Sequence, residues 1–133
     1  MKRVGGNVTW KAKLDRRFLD GIRSGEKRQV IQKVGYVEDG DALVLAGPTG
    51  EEFMEVTVES AVSILIRTDE IVDKSGRRKK TLFIRLDGKV LDRGGMHKLA
   101  CADGFSGVAE MLEFMRENDM FMHGIFDGQL IRW

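Results

Sequence analysis

Cysteine is almost missing from this chain of 133 residues, with Cys101 standing alone. One thiol excludes an internal disulfide framework and any metal cluster built on several cysteines. It also suits a reducing compartment. The two histidines, His97 and His123, lie far apart in sequence and neither has a partner at ligand spacing, so no metal site is expected. No apolar run approaches the roughly 20 residues that cross a bilayer. Lys2 and Arg3 lead into Gly5, Gly6 and Asn7 instead of an apolar stretch, so a secretory leader is not expected. These absences predict a soluble, cytoplasmic protein with no membrane partner. Phosphate-loop, nucleophile-elbow and dinucleotide glycine fingerprints are missing too, so no cofactor is expected. Repeats, linkers and low-complexity segments are equally absent.

What remains fits one domain over residues 1–133, since domains most often run ~100–150 residues. A formal net charge of +1 hides an asymmetry. Residues 1–33 carry ten basic side chains (Lys2, Arg3, Lys11, Lys13, Arg16, Arg17, Arg23, Lys27, Arg28 and Lys33) against Asp15, Asp20 and Glu26. The other hundred residues hold twelve basic and eighteen acidic ones. A basic quarter on a near-neutral protein is a local attractive field for phosphates, or else a solvated face. A second basic run, Lys74 and Arg77-Arg78-Lys79-Lys80, follows Ser75-Gly76 and reads as a solubilising hairpin tip.

Hydrophobic spacing supplies the elements. Leu14, Phe18, Leu19 and Ile22 recur at helical spacing, and Gly25 is placed to end that helix. Residues 30–34 and 42–46 read as strands, with turns at 38–41 and at Gly47-Pro48-Thr49-Gly50. Phe53 to Arg67 is the longest extended candidate, long enough to bend or bulge. Residues 81–86 form a further strand, paired through the basic turn with Ile71-Val72, and Asp87-Gly88-Lys89 turns the chain again. A short helix is expected from Met96 to Ala102, closed by Asp103-Gly104. A second is capped by Ser106 and runs to Asn118, with Val108, Met111, Leu112 and Met115 on one face. Gln129 to Trp133 reads as a final strand whose loss should damage the fold. The fold class is α+β, a small and partly open barrel with one early helix and two late ones.

The segment Gly25-Glu26-Lys27-Arg28-Gln29-Val30-Ile31-Gln32 joins the first helix to a strand and places a lysine at the junction. It resembles the G-x-K-x-x-T-x-R signature of the ASCH family of PUA-like barrels. Four further landmarks follow in the family's order. They are Gly40-Asp41-x-Leu43, Val56-x-Val58, Asp103-Gly104-Phe105-Ser106 ahead of a helix, and Leu130-Ile131-x-Trp133. The resemblance spans roughly residues 8–133, and its late portion is most similar to ASCH proteins of phages and prophages. It implies a PUA-like barrel with a cleft beside the first helix. It also implies RNA or nucleotide binding, deacetylation of N4-acetylcytidine, or cleavage of RNA.

In the amidohydrolase type, the motif threonine is the nucleophile, activated by the motif lysine and aided by a glutamate on the later helix. Lys27 matches the lysine and Glu110 the glutamate, with Glu113 one helical turn away. Val30 stands where the threonine would be, and valine has no nucleophilic atom. Gln32 replaces the arginine, removing a permanent charge and a planar fork. Lys27 and Glu110 are therefore the catalytic candidates if the protein is an enzyme. Lys27, Arg28 and Gln32, flanked by Arg16, Arg17 and Arg23, are the ligand-binding candidates. Trp10 and Trp133 offer stacking faces or core packing. Cys101 reads as a small buried residue and Ser106 as a cap. The leading expectation is a binding module for RNA or a nucleotide. An amidohydrolase, a ribonuclease on single-stranded RNA, and an accessory protein that binds another protein stand as alternatives.

Overall fold

A computed structural model describes residues 6–133, so Lys2, Arg3 and Gly5 lie outside the described residues. The class is α+β, with eight strands in two sheets, one 3-10 turn and three helices among the described residues. One helix comes early and two precede the last strand. No helix among the described residues is long and apolar enough to cross a membrane. The chain divides into two compact units. The first holds residues 6–62, 102–104 and 129–133, and the second holds 63–101 and 105–128.

In the first unit, β1 (Thr9–Lys13) runs parallel to β3 (Ala42–Ala46), which pairs antiparallel with β4 (Glu52–Thr57). β1 was not expected as a strand. Its sequence, TWKAK, turns only Trp10 and Ala12 away from solvent while the lysines face out. Its partner also lies some thirty residues on, because a parallel pair needs a long crossover. The first helix is shorter than its apolar spacing predicts. Leu14 still donates to Ala46 O at 2.8 Å, and Asp15 caps a 3-10 turn by accepting from Arg17 N at 3.0 Å. Only Leu19–Ser24 is α-helical (α1), closed by Gly25 at φ +82°. Of the predicted face Leu14, Phe18 and Ile22 are buried and Leu19 is half-buried.

β2 (Gln29–Gln32) pairs antiparallel with the second half of β8 (Ile125–Arg132), in the register Gln29↔Arg132, Val30↔Ile131, Ile31↔Leu130 and Gln32↔Gln129. The four central side chains are all buried. The long strand predicted from Phe53 bends, breaking at Val58-Glu59 before β5 (Ser60–Val72) begins. Val58 N donates to Asp41 O at 2.8 Å, and Glu59 N donates to Arg132 O at 2.8 Å.

The second unit is built on β5 from Ser63 onward and β6 (Arg78–Leu86), which pair antiparallel as a hairpin. Residues 81–86 lie opposite 64–69, and Arg78, Lys79 and Lys80, read as part of the tip, instead extend the strand opposite Val72, Ile71 and Glu70. Asp73 organises that turn, its Oδ1 accepting from Ser75 N, Ser75 Oγ and Arg77 N at 2.6–3.0 Å. Asp87 and Gly88 both take positive φ, the geometry of a two-residue hairpin loop, and return β7 (Lys89–Val90) onto β6. α2 (Arg93–Ala102) starts three residues earlier than expected. Asp92 Oδ1 accepts from Gly95 N at 2.7 Å, so the two glycines sit in a capped first turn instead of preceding the helix. α3 (Val108–Glu117) buries Met111 and Met115. Its N-cap is Gly107 and not Ser106, because the Ser106 hydroxyl donates to Glu110 Oε2 at 2.9 Å. The final strand starts at Ile125, four residues earlier than read, after Gly124 at φ +76° passes within reach of Thr68.

Candidate functional site

Gly25 takes the left-handed conformation and ends α1, after which Lys27 N donates to Gly21 O at 2.9 Å. That turn aims the Lys27 side chain inward. The residue is 4% exposed, so it is not a lysine waving at a helix end. Nζ donates to Asp103 O at 2.6 Å and to Asp103 Oδ1 at 2.9 Å, and lies 4.4 Å from the centre of the Phe18 ring. Burial pulls the Lys27 ammonium below its ordinary range, opposed by the Asp103 carboxylate. The same burial pushes Asp103 up, opposed by Lys27 and Gln29. Pairing offsets part of the cost of hiding two charges, and burial remains the larger influence on both groups.

Gln29, buried at the start of β2, extends this network. Its Nε2 donates to Asp103 Oδ1 at 3.4 Å, and its Oε1 accepts from Arg132 Nε at 3.4 Å. Arg28, the residue before β2, is exposed. Its Nε donates to Trp133 O at 3.0 Å, and Trp133 N donates to Arg28 O at 3.2 Å. These residues wall a groove of about 410 Å³ lined by Glu26, Arg28, Gln29, Glu59, Ala102, Arg132 and Trp133. The lining residues include two arginines, two glutamates and a tryptophan.

The remaining candidates are placed elsewhere. Val30 is 2% exposed and belongs to the core, so the position of the motif threonine faces apolar side chains. Gln32 Nε2 donates to Lys13 O at 2.9 Å, fastening β2 to the end of β1. Arg17 lies over the Phe18 ring at 5.2 Å and Arg23 over the Phe53 ring at 5.5 Å; with the exposed Arg16, none lines the groove. Glu110 belongs to the second unit and accepts from Ser106 Oγ, while Glu113 on the same helix is exposed. Cys101 is exposed rather than buried, with Sγ 3.5 Å from His97 Nε2 one turn earlier on α2. Among the described residues no group of three His, Cys, Asp or Glu side chains could hold a metal ion.

Trp10 is a structural residue. Its Nε1 donates to Asp41 Oδ2 at 2.8 Å, and its ring lies so close to Gly35 that a Cβ there would fall 2.4 Å away. Fully buried Asp41 also accepts from Val8 N at 3.2 Å and Glu38 N at 2.9 Å, which explains the Gly40-Asp41 pair as an anchor. Sequence reasoning gave Asp103 the roles of a helix stop and of the first residue of the Asp103-Gly104-Phe105-Ser106 landmark, not that of a partner for Lys27, and it passed over Gln29, Arg132, Glu26 and Glu59 as site residues. One signal pointed to part of this set. Gln29-Val-Ile-Gln32 and Gln129-Leu-Ile-Arg132 share one polar–apolar–apolar–polar pattern, which is how two paired antiparallel strands look when both bury their centres. Compared with protein-family models, curated proteins and solved structures, the chain matches none.

Proposed function

We infer that this chain is a nucleotide- or RNA-binding module of the ASCH type on a small PUA-like barrel, with the groove beside Arg28 as its site. The supporting observation is the composition of the groove wall. Trp133, Arg28 and Arg132 line one space of about 410 Å³. Aromatic faces take stacked bases, and arginine supplies both hydrogen bonds and cation–π contact. The residues that would carry chemistry are otherwise engaged. Lys27 spends its ammonium on Asp103, and Val30 is packed in the core. Recognition tolerates both arrangements; covalent catalysis through a motif threonine does not.

Short single-stranded RNA, followed by fluorescence anisotropy at low salt, tests the reading. Binding is expected, and Trp133→Ala should weaken it by about tenfold or more, the usual worth of one base–aromatic stack. No binding at low salt, or a Trp133→Ala protein that binds as well as the parent, overturns the reading. The same protein should return both the RNA and N4-acetylcytidine unchanged.

A further inference from the structure

The charged heads around the groove are balanced and unspent. Among the described residues Arg28 and Arg132 use only their Nε atoms, on Trp133 O and Gln29 Oε1, which leaves both Nη forks for another partner. Glu26 and Glu59 line the same groove, and among the described residues neither carboxylate takes part in a hydrogen bond or an ion pair. Two cations and two anions sharing one groove without pairing to one another are placed for a ligand that brings both donors and acceptors. Their formal charges cancel, so the groove itself gives a phosphate no net attraction.

Building on the nucleotide-binding reading, we propose that this groove selects guanine, holding the base rather than the phosphate. Guanine offers two adjacent donors, N1–H and the N2 amino group, which match the two oxygens of one carboxylate. Its O6 and N7 are adjacent acceptors that match an arginine fork. No other standard base carries both pairs. Adenine has one donor group beside its acceptors, cytosine likewise, and uracil a single N–H. Trp133 supplies the stacking face for the purine ring. Glu26 or Glu59 takes the donor edge while Arg28 or Arg132 takes the acceptor edge.

Calorimetric titration of the full chain with guanosine, inosine, adenosine, cytidine, uridine and guanosine 5′-monophosphate tests this. Guanosine should bind about tenfold or more tighter than inosine, which lacks the N2 amino donor, and than the other three nucleosides. The monophosphate should bind no tighter than the nucleoside. The E26Q/E59Q double variant, with thermal melting checked to confirm its fold, should lose the preference for guanosine over inosine. Equal binding of all nucleosides overturns the guanine assignment and leaves the groove reading standing. A monophosphate much tighter than guanosine overturns the neutral-base assignment in the same way. If no nucleoside binds, the assignment falls, and RNA binding lost in Trp133→Ala would then show that the groove reading survives without it.

Discussion

Hiding an ammonium group from water is tolerable only while its partner is present, and Lys27 has one partner residue that meets it twice, through Asp103 O and Oδ1. Removing Asp103 strands the charge. Asp103→Ala should therefore destabilise the protein by about 3–5 kcal/mol in a urea titration. In the converse variant the stranded group is a carboxyl, which neutralises by taking up a proton. In Lys27→Met, Asp103 keeps the burial that raises its pKa and loses the largest force opposing it. The folded state then holds a proton that the unfolded chain releases. Stability of this variant should be greatest in acid and should fall as the pH rises through and beyond the ordinary carboxylate range. Urea midpoints at a series of pH values would check that sign. At this scale the sequence was partly legible. Lys27 stood out by its place after a helix-ending glycine, but its partner is 76 residues away and looked like a helix stop. No local pattern links two such residues.

Strand pairing decides how firmly the groove is held. Ile131 is fully buried opposite Val30, so Ile131→Ala should cost about 2–5 kcal/mol, read from denaturant unfolding. A backbone constraint gives an independent check in the second unit. Gly124 sits at φ +76°, and a Cβ there would lie 2.6 Å from Thr68 O. Gly124→Ala should lower the melting temperature even though it adds only a methyl group. Elements whose apolar residues alternate or recur at helical spacing were readable, among them β3, β6 and the buried face of α3. Those that depend on a distant partner were not. β1 shows two lysines and a tryptophan, and becomes a strand only because β3 returns beside it. The start of α2 was hidden because glycine weakens a helix locally, and only the Asp92 cap restores it.

Across the whole molecule, the basic excess and the balanced groove predict two kinds of salt response. An oligonucleotide has phosphates to offer the exposed Lys11, Lys13, Arg16, Arg17 and Arg23, so its affinity should fall with added salt, by a slope of about −0.7 for each phosphate neutralised on a single strand. A nucleoside has none, and its affinity should barely move over the same range. Anisotropy and calorimetry at several salt concentrations would separate the two, and parallel curves would count against the division of labour. Composition made the basic excess plain, but it could not show that Arg28 faces a groove while Arg16, Arg17 and Arg23 do not. The pairing of β2 with β8 also has a consequence in time. Arg28 and Glu26 are made early, whereas Arg132 and Trp133 follow about a hundred residues later. A nascent chain that has released only its first half has one wall of the groove and no second. Ligand capture should therefore report that β8 has been made and paired with β2, and a proteolytic nick that frees residues 129–133 should silence it at once.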